Sequence, residues 1–129
     1  MGTIAFFEAE EWEKKYLAKK LSGNKLVFID WHLDLKNITQ ATGAEIISVF
    51  IYSKIGRNEL ARLPNLKMIA TMSTGFDHID LEECKKRGVE VCNVPSYGSQ
   101  TVAEHAMALL LAIAKNIVPS VERTRRGNF

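Results

Sequence analysis

Short apolar runs alternate along this chain with longer stretches in which apolar residues recur every three or four positions. Thr3–Phe7 is the first run. It precedes Ala9–Leu21, where Trp12, Tyr16, Leu17 and Leu21 fall on one stripe of a helix and Gly23 follows as a stop. Lys25–Asp30 reads as a second strand, and the seven residues Ile46–Tyr52, IISVFIY, have the unbroken apolar character of a strand buried on both faces. Leu33–Ala44, between them, carries no clear period. Asn58 is placed to cap a short helix that reaches Leu63 and is closed by Pro64, after which Leu66–Met72 reads as a fourth strand. Asp80, with Glu83 three residues on, marks a further helix start, and Gly88 sits where a left-handed terminal residue is wanted. Val89–Val94 supplies the fifth strand. Strands separated by helices build βαβ units, so the pattern predicts a doubly wound α/β fold with a parallel sheet of about five strands covered on both faces.

From Ser99 the character changes. Val102–Val118 places Val102, Met107, Leu109, Leu110, Leu111, Ile113 and Ile117 on nearly every side of a helical wheel, where a surface helix would show one stripe. Such a helix is expected between two layers or two domains. Thr101 and Glu104 form a second capping-box pattern that sets its entry near residue 100, and Pro119 is expected to kink or end it. Ser120–Phe129 is polar and basic with no closing element, so the chain is expected to continue beyond it.

With 129 residues, 47% of them apolar, the composition is that of one compact domain. Seventeen basic against fifteen acidic side chains leave a net charge of +2, which argues against a nucleic-acid surface; Arg123, Arg125 and Arg126 are too few to alter that. No apolar run approaches the roughly 18 to 20 residues that span a bilayer, and acidic residues in Met1–Glu10 occupy the place of a signal peptide's basic region. The expected compartment is the cytoplasm. Cys84 and Cys92, eight positions apart, match neither a redox pair nor a zinc site and are expected to be reduced packing thiols.

In an open α/β sheet ligands bind beyond the carboxyl ends of the strands, so three loops carry the candidate chemistry: Ser53–Arg57, Ser73–His78 and Pro95–Gln100. In the second, Ser73-Thr74-Gly75-Phe76-Asp77 is a small-residue turn whose glycine permits positive φ and lets backbone N–H groups face an anion. A plain strand-to-helix turn explains the same residues. Tyr97 in the third loop offers a phenol to a substrate, with packing as the alternative. Glu104 and His105 are adjacent on a helix and so point about 100° apart, which weakens an acid–base pairing; His78 lies beside Asp77, and His32 has no partner pattern. The glycines after residue 75 are Gly88, Gly98 and Gly127, and no phosphate-cradling glycine loop is present.

Four stretches carry a family likeness: Leu63-Pro64-Asn65-Leu66-Lys67-Met68-Ile69, Ser73–Asp80 (STGFDHID), Gly88–Pro95 (GVEVCNVP) and Val102-Ala103-Glu104-His105. Together, over about residues 46 to 118, the chain resembles the D-isomer-specific 2-hydroxyacid dehydrogenases, and within them the D-lactate dehydrogenase group, where the segment matching Asn93–Tyr97 also carries a tyrosine. The resemblance implies two lobes, a flavodoxin-like substrate lobe and an inserted Rossmann lobe that binds NAD. Residues 1–98 would belong to the substrate lobe, and residues 99–129 to the interdomain crossing helix and the start of the NAD-binding lobe. The backbone amides of Thr74 and Gly75 would hold the substrate carboxylate, Tyr97 would contact the substrate, and Ser53 and Lys54 would line the same pocket. An arginine, a histidine and its paired carboxylate, the acidic ribose-binding residue and the glycine fingerprint would all lie in the other lobe. No catalytic or NAD-binding residue is therefore expected within these 129 residues.

The function expected is that of the substrate-binding lobe of an enzyme interconverting a small 2-keto acid and its 2-hydroxy acid, pyruvate and D-lactate first, and inactive by itself. A stand-alone carboxylate- or partner-binding module with the same fold is the alternative. The apolar helix further suggests a dimer made through its copy in a second chain.

Overall fold

In the computed structural model, which describes residues 2–128, five short strands lie parallel in the order β2-β1-β3-β4-β5. They are β1 (Thr3–Phe7), β2 (Lys25–Ile29), β3 (Ile46–Val49), β4 (Met68–Thr71) and β5 (Glu90–Cys92). This is the flavodoxin-like order, in which the chain winds outward in both directions from β1. Two compact units make up the chain, one ending at Pro95 and containing the whole sheet, the other starting at Ser96.

Alternation along the strands sorts the core. Ala5 and Phe7 of β1, Ile29 of β2, Ile47 and Val49 of β3 and Ile69 of β4 face one side. There they meet a 3-10 turn (Ile38–Ala41), α2 (Arg57–Leu60) and α3 (Leu81–Arg87) through Ile38, Leu60, Leu63, Ile79 and Cys84. Burying each large side chain in this layer contributes about 1.5–3 kcal/mol. Ile4, Phe6, Leu26 and Phe28 face the other side, with Phe6 stacked on its register partner Phe28 at 5.3 Å, and Leu17 and Leu21 of α1 (Glu11–Lys20) cover them. That cover is partial: Met68 and Ala70 are half-buried and Cys92 is exposed, so the second layer is thinner than the sequence pattern predicts.

Local signals are realised unevenly. Asp80 accepts the Glu83 N–H at 2.9 Å and Gly88 closes α3 at φ 68°, as the sequence predicts. The start of α2 is Gly56 rather than Asn58, because the Glu59 carboxylate accepts the Gly56 N–H at 3.0 Å. β3 ends at Val49 and not at Tyr52; Ile51 and Tyr52 turn outward into solvent. On α1, Trp12 and Tyr16 do not join the packed stripe but stay exposed, with the Trp12 indole N–H donated to Glu10 at 2.9 Å.

In the second unit, α4 (Ser99–Ala114) begins after Gly98, and Glu104 accepts from Gln100 at 2.8 Å, so the Thr101–Glu104 capping box does not form. The helix breaks before Pro119, at Asn116, which takes φ 51°. Pro119 then falls in the first turn of α5 (Ile117–Arg125), where a helix needs no N–H donor. Ser120–Arg125, read from the sequence only as polar and basic, continues α5. The apolar side chains of α4 are exposed, Ile113 to 76% and Val102 to 69%. Among the described residues no single helix is long and apolar enough to cross a membrane; α4 and α5 together reach that composition but are bent by 58°.

Glu83 ties α2 to α3. Nearly buried on α3, it accepts from Arg87 at 2.8 Å and faces Arg57 at 3.4 Å, and these guanidinium groups, Arg87 first, hold its carboxyl below the ordinary value of 4.5. The stability it contributes is therefore complete above that value and is lost as pH falls through the lower, folded-state value. Urea denaturation across the acid range should show this limb, and Glu83→Gln should flatten it.

Candidate functional site

Parallel pairing brings all five strands to one edge with their carboxyl ends together, and the loops there are stitched to one another. Beyond β4, the Ser73 hydroxyl donates to the Gly75 carbonyl at 2.7 Å and lies 2.6 Å from the Thr71 hydroxyl, which also meets His78 Nε2 at 3.3 Å. From beyond β5, the Val94 N–H donates to the Ser73 carbonyl at 3.0 Å and the Asn93 amide to the Thr74 carbonyl at 2.8 Å. The Thr74 hydroxyl returns a bond to the Val94 carbonyl at 2.9 Å. The carbonyls of the turn are thus taken up. The N–H groups of Thr74, Gly75 and Phe76 donate to no acceptor among the described residues, and all three residues are exposed.

Such a row of unpaired donors suits an anion. Gly75 does not supply the positive φ its type permits; among the described glycines that is found at Gly88 and Gly127. A Cβ on Gly75 would stand 3.2 Å from Asp77 Oδ1, so the glycine admits the Asp77 carboxylate close to the turn.

The loop beyond β3 is zipped to this one. Ile55 donates to the His78 carbonyl and accepts from the Asp80 N–H, both at 2.9 Å, forming a separate parallel bridge with Ile79 beyond the strands. Lys54, exposed beside Ile55, lines a cleft of about 550 Å³ with Gly56, Asp77, His78 and Asp80. On its other side it borders a cleft of about 520 Å³ with Leu33, Leu35 and Tyr52. Ser53 takes a different position from the pocket-lining one expected for it. It is fully buried, and its hydroxyl accepts from the Leu33 N–H at 2.8 Å and donates to Glu8 Oε2 at 2.6 Å. A hydroxyl committed to both partners is a brace beneath the loop and not a ligand contact.

Glu8 escapes sequence reading. At the carboxyl end of β1 it adopts φ 62°, which costs a side-chain-bearing residue about 1–2 kcal/mol. Its Oε2 also accepts the Phe50 N–H at 2.9 Å, while its Oε1 is buried without a partner. An acidic residue directly after a central apolar strand is the one local sign of this. Tyr97 lies in the second unit, 70% exposed, its phenol without a partner among the described residues. Glu104 and His105 are exposed on α4. Both cysteines are free; Cys84 packs in the core, where burial raises its thiol pKa, and Cys92 is exposed 4.0 Å from the Met68 sulfur. The turn from β1 to α1 reads Glu8-Ala9-Glu10, with no glycine and with carboxylates where a dinucleotide's pyrophosphate would need free amides; these residues do not fit NAD.

Residues 4–127 match the family model of the D-isomer specific 2-hydroxyacid dehydrogenase catalytic domain. The chain belongs to this family. The D-lactate dehydrogenase of Escherichia coli K12 is 32% identical over 130 residues, which cover 98% of this chain and 40% of that enzyme. A glyoxylate reductase of Thermofilum pendens is 41% identical over 76 residues, 59% of this chain and 22% of that enzyme. Among solved structures, the D-lactate dehydrogenase of Aquifex aeolicus, complexed with NAD and lactic acid, superposes with a TM-score of 0.89 at 33% identity, covering 98% of this chain and 38% of that one. The chain thus spans about 40% of the length of the lactate dehydrogenases it resembles.

The Thr74 hydroxyl is a surface staple and not a core group. Thr74→Val should cost about 1 kcal/mol, one neutral hydrogen bond, in urea unfolding, with the transition still cooperative.

Proposed function

We propose that this chain is the substrate-binding part of an NAD-dependent D-2-hydroxyacid dehydrogenase that interconverts a small 2-keto acid and its D-2-hydroxy acid, with pyruvate and D-lactate as the first pair. One observation carries the reading: the unpaired N–H groups of Thr74, Gly75 and Phe76, at the carboxyl end of β4, on a loop zipped to the one that holds Lys54. Three donors in a row take a carboxylate's oxygens through hydrogen bonds that an ionised acceptor strengthens. The Lys54 ammonium adds attraction from the adjoining loop, and the Asp77 carboxylate opposes it, favouring a ligand that carries one negative charge over one that carries none or several. Lactate dehydrogenases among the relatives support the choice of pyruvate; a glyoxylate reductase among them keeps the smaller keto acid in the same class.

NAD supplies or accepts the hydride at C2 of the acid when bound. This chain's part is to fix the carboxylate, and with it the distance and face that C2 presents. We assign the proton donor at C2 and the seat for NAD to groups outside these residues, since the β1–α1 turn, Glu8-Ala9-Glu10, offers no glycine loop for a pyrophosphate.

Titrating pyruvate into the chain should move the amide resonances of Thr74, Gly75 and Phe76 first, with Gly43 at the opposite edge unmoved; even shifts throughout would overturn the reading. With NADH and pyruvate the 129-residue chain should show no turnover, and ordinary dehydrogenase rates would refute the absence of catalytic groups. In the full-length enzyme, Tyr97→Phe should reduce kcat/KM by about fivefold, or about 1 kcal/mol, as its phenol donates to substrate, and unchanged kinetics would remove it from the substrate contacts.

A further inference from the structure

We infer that Glu8 is a positioning residue, which acts through Ser53 to set the walls of the cleft that Lys54 enters. The inference rests on the proposed reading of Lys54 as part of the substrate end.

Glu8 stands at the carboxyl end of β1, next to the point where the strand order reverses, and is the hub of a hydrogen-bond network that joins three strands. Its Oε2 takes the Phe50 N–H, just past β3, at 2.9 Å, and the Ser53 hydroxyl at 2.6 Å. Ser53 in turn accepts the Leu33 N–H, beyond β2, at 2.8 Å. Since a hydroxyl has one proton, the direction of this chain is fixed: Leu33 to Ser53 to Glu8. The Glu8 N–H donates to Ile29 at 3.1 Å, so the same residue is anchored to β2 by its backbone as well.

Lys54 follows Ser53 directly, and Leu33 and Lys54 both line one cleft. Moving Ser53 therefore moves both. Two features argue that the carboxylate is kept for this placement. Its backbone is in the left-handed region, where glycine would be relaxed, and its Oε1 is buried with no donor. A residue selected for packing alone would carry neither cost at once. The orphan oxygen also tells which atoms matter, because only Oε2 accepts hydrogen bonds.

Variants of the full-length enzyme test this. Glu8→Gly relaxes the backbone while removing the carboxylate, and Ser53→Ala cuts the link to Leu33 with little change of volume. Each should raise KM for pyruvate about five- to tenfold with kcat within about twofold, and the double variant should be little worse than either. Glu8→Gln keeps an acceptor for Phe50 and Ser53 and should restore KM to within about twofold of the parent. Amide exchange should quicken at Leu33 and Phe50 and stay slow at Ile47 and Ile69. Unchanged KM in both single variants, a fall in kcat without a change in KM, faster exchange throughout the sheet, or Gln behaving as Gly would each overturn the inference. Should Glu8→Gly not fold, Ser53→Ala is judged by the same criteria. Lys54→Met separates the two readings: unchanged KM there refutes the substrate end itself, whereas raised KM there with unchanged KM in Ser53→Ala refutes only the role of Glu8.

Discussion

Parallel pairing of β3 with β1 on one side and β4 on the other is the constraint from which the remaining structure follows. Ile47, Val49 and Ile69 lie along these pairs with no exposed surface at Ile47, Val49 or Ile69, so a shift of register by one residue would turn them out of the core. With register settled, strand ends are settled too, and every loop that leaves a carboxyl end must start within reach of its neighbours. The Ile55–Ile79 bridge is the visible result, a separate parallel pairing beyond the strands that holds the two candidate loops together.

At that edge the accounting of polar groups decides what the protein can bind. Carbonyls of Ser73, Thr74 and Gly75 are each taken by Val94, Asn93 and Ser73 respectively, which leaves donors in excess. An excess of N–H groups without protein acceptors leaves this turn able to receive an anion, and it arises without a strained backbone at Gly75. Beneath the next loop the balance is reversed. The Glu8 carboxylate has one oxygen fully used and one unused, so that a buried acceptor, and no donor, is left over.

Much of the fold was legible because its signals are local. The Asp80 cap and the left-handed Gly88 need only four or five neighbouring residues, and the apolar runs of β1, β3 and β4 need only their own composition. Signals that depend on what lies opposite were read less well. Trp12 and Tyr16 have the period of Leu17 and Leu21, yet only the latter pair packs with Ile4, Phe6, Leu26, Phe28 and Ile46 of the sheet, while Trp12 and Tyr16 face solvent. Asn58 lost the cap of α2 to Gly56 because a carboxylate three residues on could reach back to the Gly56 N–H. Thr74, Gly75 and Lys54 lie on the loops where the strand pattern puts them, whereas Ser53 sits one layer deeper, its hydroxyl held between the Leu33 N–H and Glu8.

Alone, then, the sequence determined the parallel α/β class and the family and marked three candidate loops, because periodicity, caps and motif spacing are properties of neighbours along the chain. Only the tertiary structure decided that Ser53 is a brace, that Gly75 admits a carboxylate and not a left-handed turn, and that Glu8 joins the ends of β1, β2 and β3. The placements of Ser53 and Glu8 depend on residues tens of positions apart arriving within hydrogen-bond distance, and no local pattern records which partner will be there.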